Sequence, residues 1–386
     1  MSLPFIDLQA QRKRIETEVN AAILSVVESG RYVLGPEVTE LEKQLAAWCG
    51  AKHSVSCANG TDAIALPLMA WEVGPGDAVF CPSFTFVATA QVVPWTGASP
   101  VFVDILPDTY NMDPANLEAA IARVKAEGKL TPKVVIAVDL FGQPADYPAV
   151  KAICEREGLK LISDNAQGFG CTLNGKATTD WADIATTSFF PAKPLGCYGD
   201  GGAVVTNDDR LAELVEALRV YGKVTPTDAA ERNFHHDPKY LSLRIGMNSR
   251  LDTIQAAVLL EKLKIFADEI EQRQKVAARY NEGLTGHVRR VPTVIEGGKS
   301  VWAQYVIEHE NRDGLQAHLG TQGIPTAVYY PVPIHMQDFA ADWAPPAGSM
   351  PVTEQASRYV IALPMHPYLS EEDQDRIIDA IRAFNG

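Results

Sequence analysis

The sequence lacks any long apolar run. No stretch of its 386 residues approaches the about 20 apolar residues that a membrane-spanning helix needs. The first residues, MSLPFIDLQAQRKR, also lack the apolar core of a secretory signal peptide. We therefore expect a cytoplasmic protein with no membrane partner.

Positive charge is also scarce. The chain carries 34 Lys and Arg residues against 48 Asp and Glu residues, which gives a formal net charge of −14. Because general nucleic-acid binding depends on clustered basic side chains, this balance argues against a nucleic-acid partner. It leaves room for a local basic pocket that binds an anionic ligand.

Cysteine is sparse, and its spacing indicates neither a metal site nor a disulfide framework. The six cysteines include no CxxC pair, so we expect reduced thiols and no metal. With 46% hydrophobic and 21% charged residues, the composition is that of an ordinary globular enzyme. The length is sufficient for a large core and a second, smaller domain.

Short apolar segments alternate with helical patterns through the first half of the chain. We predict strands at 53–57, 78–81, 100–103, 134–138 and 159–163. This alternation predicts a mostly parallel sheet covered by helices on both faces. Ligands bind such sheets beyond the carboxyl ends of the strands, so residues that directly follow a strand are the candidates for chemistry.

Two helices precede this sheet and a long helix follows it. The pattern over 251–284 predicts one helix that links a large domain (1–250), with its N-terminal helical arm, to a small C-terminal domain (251–386). In the small domain we expect strands near 301–308 and 326–330 and a final helix over 371–384. The predicted class is therefore α/β, with a smaller C-terminal α+β domain.

The first candidate segment, Ala58 to Asp62, follows the first predicted strand and opens a helix. A helix N-terminus offers unpaired N–H groups and partial positive charge, which suit a phosphate. Asn59 is equally a good N-cap residue. Phosphate binding and simple capping are therefore both open.

The second candidate, Asp164, follows the very apolar segment from Leu159 to Ser163. A carboxylate at this depth needs a cation or several donors to stay ionised. A protonated pyridine nitrogen is such a partner, and an aspartate in this role recurs in sites for pyridoxal phosphate (PLP). The alternative is an aspartate that caps the following turn.

The third candidate, Lys193, lies between Pro191 and Pro194 in a glycine-rich loop. The prolines restrict the backbone, and glycines are expected where it approaches a ligand closely. This arrangement suits an amine presented to an electrophilic carbon, although a surface lysine in a tight hairpin is the alternative. Ser188, just before this loop, could add a hydroxyl to a phosphate or be a polar residue tolerated in a strand.

Five segments extend this pattern: ANGTDA, SFTFVAT, DNAQGFG, SFFPAKPLGCYGDGGAVVTND and GMNSRLDTIQAA. As a set they resemble the DegT family of PLP-dependent nucleotide-sugar aminotransferases. The resemblance runs from IDLQAQ near the start to LPMHPYL near the end. Within the family, FFPAKPLGCYGDGGA and IPTAVYYPVP are most similar to enzymes that aminate C3 of UDP-2-acetamido-2-deoxy-3-oxo-glucuronate.

The resemblance implies an aminotransferase-type fold (fold type I PLP), glutamate as amino donor and a homodimer with shared active sites. It also implies a place in surface-polysaccharide (lipopolysaccharide) biosynthesis. Lys193 would bond covalently to PLP and then move protons at the reacting carbon, while Asp164 would keep the ring nitrogen protonated. Gly60, Thr61 and Ser188 would hold the phosphate.

The remaining site residues take their roles from the resemblance alone. Phe86 would stack on the PLP ring, unless it is a core aromatic of a helix predicted over 84–96. Gln167 would meet the ring hydroxyl, and Asn248 would reach the phosphate of the neighbouring subunit's cofactor. The candidates for substrate contact are Arg250, Tyr330 and His335, of which the last could instead be a structural histidine.

One position departs from the family pattern, and three functions compete. Asn165 replaces the alanine that commonly follows the strand-end aspartate, so packing there can differ. Amino transfer to a nucleotide-linked keto-sugar leads, with a C4-keto-sugar as an alternative to C3. Relatives that remove a hydroxyl group commonly replace the lysine with histidine, so Lys193 argues against that reaction. A catalytically silent regulatory protein would be favoured by loss of Lys193 or Asp164, and both are present.

Overall fold

The computed structural model describes residues 3–384 of the chain. Met1, Ser2, Asn385 and Gly386, at the outer ends of the two predicted domains, lie outside the described residues. The strands are β1 His53–Cys57, β2 Asp77–Pro82, β3 Ser99–Val103, β4 Thr131–Val138, β5 Lys160–Asp164, β6 Thr172–Leu173, β7 Lys176–Ala177, β8 Ile184–Ser188, β9 Gly202–Thr206, β10 Gly298–Lys299, β11 Tyr305–Glu308 and β12 Val360–Leu363.

The α-helices cover both ends of the chain and the segments between strands. They are α1 Leu8–Arg14, α2 Glu16–Ser29, α3 Pro36–Trp48, α4 Gly60–Ala70, α5 Ala88–Trp95, α6 Pro114–Glu127, α7 Tyr147–Glu157, α8 Asp209–Leu218, α9 Pro226–Glu231, α10 Thr253–Leu284, α11 Arg312–Thr321, α12 Pro351–Tyr359 and α13 Glu371–Arg382. Over residues 3–384, no helix is both long and apolar enough to cross a membrane.

The central sheet has seven strands in the order β1-β9-β8-β5-β4-β2-β3. Strand β9 runs antiparallel to both of its neighbours, and the other pairings are parallel. Strands β8 and β9 are buried at every position, as expected for a sheet covered on both faces. The predicted mostly parallel α/β sheet is confirmed.

The two predicted N-terminal helices are present as α2 and α3. Gly30 ends α2 with a φ of +66°, the left-handed conformation that glycine adopts at little cost, and Pro36 begins α3. Val19 of α2 packs against Val258 of α10. The arm therefore lies along the long helix.

The predicted helix over 84–96 begins too early. In the structure α5 begins only at Ala88. Phe84 instead lies in the preceding loop, where its ring is 5.9 Å from that of Tyr110 and 6.3 Å from that of Phe141. The packing of this buried aromatic ring fixes the conformation of the loop. The helical periodicity of the sequence did not show that Phe84 lies outside the helix.

The predicted strands of the C-terminal part are also partly wrong. Of the segment 301–308, only Tyr305–Glu308 forms a strand, and its partner is β12. Residues 326–330 form a single bridge, between Ala327 and Ala362, because their apolar side chains pack into an aromatic cluster with Phe84 instead.

Helix α10 begins at Thr253, two residues after the predicted start, and ends at Leu284 as predicted. Its last turns pack in a hydrophobic cluster with β11, β12 and α13, through Tyr280, Tyr305, Leu363 and Ile377. The division of the chain into domains at residues 250 and 251 stays a prediction.

Gly202, the first residue of β9, gives a test of this architecture. A Cβ at Gly202 would lie 2.4 Å from the carbonyl oxygen of Asn59, so Gly202→Ala must displace backbone. We expect a loss of about 1–3 kcal/mol in the free energy of unfolding, the usual cost of overpacking a core. Urea unfolding followed by circular dichroism measures this loss.

Gly320→Ala is the matched control, because a Cβ there meets nothing within 4 Å in helix α11. Alanine is the better helix former, so this variant should be unchanged or stabilised by up to about 1 kcal/mol. Equal effects of the two substitutions would show that the backbone of Asn59 does not pack tightly against Gly202.

Candidate active site

The strands place three candidate segments at one edge of the sheet. Strands β5 and β8 are parallel, with Asp164 opposite Thr186, so their carboxyl ends lie side by side. Because β9 is reversed, β1 runs in the same direction as β8. Ser188, Gly202 and Cys57 therefore form one row across β8, β9 and β1.

The turn that opens α4 crosses this row and lies against Ser188. A Cβ at Gly60 would lie 2.5 Å from the Cβ of Ser188, so only glycine permits the contact. Asn59 caps the helix, since its Oδ1 accepts from the N–H of Asp62 at 2.8 Å. Within residues 3–384, the N–H groups of Gly60 and Thr61 find no acceptor. Capping and room for a phosphate therefore coexist in this turn.

Asp164 is 3% exposed at the end of β5. Its Oδ2 accepts from the Thr89 hydroxyl at 2.9 Å, and its Oδ1 accepts from the N–H of Ala166 at 3.1 Å. Burial raises the pKa of Asp164, and these two donors and the nearby Lys193 oppose that rise. The contact with Ala166 is the turn cap that the sequence left open, while Thr89 had no sequence signal.

Lys193 is half-buried beyond the end of β8. Its N–H donates to the carbonyl of Phe190 at 2.8 Å, while its amine has no hydrogen-bond or ion-pair partner in the described chain. Burial lowers the pKa of Lys193, and attraction to Asp164 opposes this. A lowered pKa increases the neutral fraction of the amine, which is the nucleophilic form.

Gln167 and Tyr330 lie beside this pair. The Nε2 of Gln167 donates to the Tyr330 hydroxyl at 2.9 Å, and its Oε1 accepts from the N–H of Phe141 at 2.8 Å. Burial raises the pKa of Tyr330, so its phenol stays protonated. The two contacts fix the Gln167 amide in one orientation. Its predicted contact with a ring hydroxyl stays a prediction.

Phe86, Asn248 and Arg250 are more accessible. Phe86 is 54% exposed, which excludes the alternative of a helix core aromatic. Asn248 is exposed and precedes Ser249, whose hydroxyl accepts from the N–H of Ala58 at 3.1 Å. Arg250 is half-buried and makes no ion pair with any residue that the structure describes.

His335 makes the contacts of a structural histidine. Its Nδ1 is 2.6 Å from the hydroxyl of Ser83, and its Nε2 is 3.7 Å from a carboxylate oxygen of Glu354. Burial lowers the pKa of His335. Both ring nitrogens therefore have partners in the fold, which corresponds to the structural alternative and gives no support to substrate contact.

Asn165, the departure from the family pattern, is buried behind the site. Its Oδ1 accepts from the Thr178 hydroxyl at 2.7 Å. An alanine could not make this contact, and the neighbouring Asp164 and Gln167 make the separate contacts described above.

The residues at this edge fit PLP. Asp164 is a buried carboxylate that a cationic ring nitrogen would satisfy, and Lys193 is an unpaired amine for an aldehyde. The Gly60 turn leaves N–H groups free beside the Ser188 hydroxyl, which suits a phosphate. This combination of fold and site defines an aminotransferase-type α/β enzyme.

The chain belongs to the DegT/DnrJ/EryC1/StrS aminotransferase family, whose model matches residues 13–382. It is 48% identical to the UDP-2-acetamido-2-deoxy-3-oxo-D-glucuronate aminotransferase of Pseudomonas aeruginosa, over 95% of this chain and 96% of that protein. It is also 42% identical to the pleiotropic regulatory protein of Geobacillus stearothermophilus, over 100% of this chain and 99% of the relative.

Solved structures agree with this assignment. A DegT/DnrJ/EryC1/StrS aminotransferase from Brucella abortus superposes with a TM-score of 0.94 at 53% identity, covering 100% of both chains. The structure of NtdA from Bacillus subtilis with bound cofactor PMP gives a TM-score of 0.85 at 29% identity, covering 98% of this chain and 84% of NtdA. The predicted family and fold class are confirmed.

The perturbed amine of Lys193 gives a direct test in the cofactor-free protein. Because burial lowers its pKa, the pH midpoint for acylation of Lys193 should be lower in the folded protein than in the urea-unfolded protein. Asp164→Asn removes the charge that opposes this shift, so the midpoint should fall further. Mass spectrometry of the peptide that contains Lys193 measures labelling. Identical midpoints in folded and unfolded protein would contradict the site geometry.

Proposed function

We propose that this enzyme moves the amino group of glutamate to C3 of UDP-2-acetamido-2-deoxy-3-oxo-glucuronate. Glutamate leaves as 2-oxoglutarate, and the sugar ketone becomes an amine. The observation that carries amino transfer is the unpaired amine of Lys193 beside the buried carboxylate of Asp164. The substrate rests on the Pseudomonas aeruginosa relative, which bears that name at 48% identity.

When bound, PLP supplies a ring that withdraws electrons from the reacting carbon. In our proposal Asp164 holds the proton on the ring nitrogen, and Thr89 orients the carboxylate through its hydrogen bond. Lys193 would hold the cofactor covalently through its amine, and the same amine would take and return a proton at the reacting carbon.

The remaining contacts bind and orient. The free N–H groups of Gly60 and Thr61 and the hydroxyl of Ser188 would hold the phosphate, and Phe86 would pack against the ring. Arg250 and Tyr330 contact the substrate. For Arg250 the support is a half-buried guanidinium without an ion pair in the described chain, which suits an anionic sugar nucleotide.

A regulatory protein is the second candidate, because the Geobacillus stearothermophilus relative is named as one. A silent protein has no need of a reactive lysine, and both Lys193 and Asp164 are present here. The response of the bound cofactor's absorbance to glutamate separates the two functions. An enzyme changes absorbance when it takes the amino group, whereas a silent binder does not.

The substrate is tested by a panel of UDP-, dTDP- and GDP-linked keto-sugars with glutamate. Release of 2-oxoglutarate should be fastest with the UDP-linked 3-keto uronate. Faster turnover of a 4-keto-sugar would replace this substrate with the C4 alternative. A role in surface-polysaccharide biosynthesis stays a prediction from the family resemblance.

Lys193→Ala should abolish transamination and leave the fold intact, because the loop lysine contributes little to the core. The measurement is 2-oxoglutarate release at saturating glutamate, with circular dichroism as the control for folding. More than a trace of turnover in the folded variant would remove Lys193 from its proposed role.

Asp164→Asn should retain the cofactor and lose most of the activity, since a neutral amide cannot stabilise a protonated ring nitrogen. Cofactor content by absorbance and turnover are measured on the same sample. Turnover within a few-fold of the parent would leave Asp164 with the turn-capping role alone.

We further propose a homodimer in which Asn248 reaches the cofactor of the partner subunit. Its support is an exposed amide in a loop that is hydrogen-bonded to Ala58, directly before the Gly60 turn. A two-fold interface brings each surface to both sites.

The shared site is tested by mixing the inactive variants Lys193→Ala and Asn248→Ala under conditions of subunit exchange. In a mixed dimer one site carries both changes and the other carries neither. Activity should return towards roughly a quarter of the parent level, since half of randomly paired dimers are mixed. If Asn248→Ala alone is impaired and verified exchange restores nothing, Asn248 acts within its own subunit.

A further inference from the structure

The loop that carries Lys193 closes tightly at its base. The N–H of Phe189 donates to the carbonyl of Gly201, and the carbonyl of Phe189 accepts from the N–H of Cys197, each at 2.7 Å. The segment 189–201 is therefore a closed loop whose two limbs meet at Phe189.

Inside this loop the two limbs are in direct contact. A Cβ at Gly196 would lie 2.5 Å from the carbonyl oxygen of Pro191 and 2.6 Å from that of Phe190. The carbonyl of Phe190 also accepts from the N–H of Lys193. A shift of Gly196 would therefore displace the carbonyl of Phe190, to which the N–H of Lys193 is hydrogen-bonded.

Helix α10 holds the returning limb by two side chains on one face, seven residues apart. The Nζ of Lys262 donates to the carbonyl of Gly196 at 2.6 Å and lies 4.5 Å from the ring centroid of Tyr198. The Oε1 of Gln255 accepts from the N–H of Tyr198 at 2.8 Å. Residues two helical turns apart lie on the same face of a helix, so Lys262 and Gln255 can both contact residues 196–198 of the loop.

Burial of the charged side chain of Lys262 is energetically unfavourable. The residue is 1% exposed, and burial lowers its pKa to about 8. Glu269, the carboxylate whose charge opposes this shift, takes its own hydrogen bonds from Gln11 and Tyr368 and none from Lys262 within residues 3–384. A buried cation of this kind is costly, and a methionine would fill the same volume without that cost. Helix stability therefore does not account for Lys262.

We propose that Lys262 and Gln255 are positioning residues, which hold residues 196–198 on helix α10 and thereby fix the amine of Lys193 relative to Asp164. This inference rests on the proposed role of Lys193. Small displacements of a reacting group reduce turnover strongly, so the expected effect is on the chemical step rather than on sugar binding.

The test compares Lys262→Met with Lys264→Met in the PLP-loaded protein. Lys264 is the matched control, because its Nζ is exposed and pairs with Glu261 away from the loop. Amide hydrogen exchange over 189–201 should become about tenfold faster in Lys262→Met and stay unchanged in the control. Exchange in β4 and β5 should not change in either variant.

Kinetics and absorbance supply the readouts that a purely structural role would not move. In Lys262→Met, kcat should fall by about tenfold or more, with KM for the sugar nucleotide changed less than about threefold. The pH midpoint of the absorbance that reports the bond between Lys193 and the cofactor should shift. Gln255→Leu should show the same pattern more weakly, and it decides the question if Lys262→Met does not fold.

If hydrogen exchange over 189–201 is unchanged in both Lys262→Met and Gln255→Leu, the proposal is wrong. Faster exchange across the whole sheet with an unshifted absorbance midpoint, which marks a structural residue only, would also overturn it. Because hydrogen exchange needs no sugar, a parent enzyme that fails to transfer amino groups would overturn the proposed function and leave this test standing.

Discussion

Burial of two opposite charges side by side is the constraint on which the site depends. Asp164 and Lys193 each lose hydration at the carboxyl edge of the sheet, which raises the pKa of the acid and lowers that of the amine. Each charge partly offsets the penalty on the other. Within residues 3–384 the two groups form no salt bridge, so the charge of neither is fully compensated and both remain available to a ligand.

The surrounding backbone gives this pair its setting. The reversal of β9 aligns Ser188 and Cys57 in one row, and the missing side chain of Gly202 lets the turn at Gly60 cross between them. The space for the phosphate that we propose to bind here thus arises from strand order and from two positions without a Cβ. Neither Asn59 nor Ser188 would provide it alone.

The long helix α10 joins the two ends of the chain to this site. Its first half contacts the loop that carries Lys193. Further along, the buried Glu269 accepts from Gln11 of helix α1, at the N-terminal end of the chain. The buried Arg273 donates to the carbonyl of Trp302. Side chains of one rigid element therefore contact the lysine loop, the N-terminal arm and the C-terminal part. Changes at Gln255 and Lys262 in particular should therefore act on the loop that carries Lys193.

The sequence by itself determined the alternation of strands and helices, the strand ends that carry Asp164 and Lys193, and the family. These follow from local patterns: apolar periodicity, prolines around a lysine, and a glycine after an N-cap. Only the tertiary structure decided that Thr89 bonds Asp164, that His335 is held by Ser83 and Glu354, and that 326–330 packs as an aromatic cluster instead of a strand. The reason is physical: each depends on which distant side chain or strand lies opposite, and burial fixes that partner only after the chain has folded.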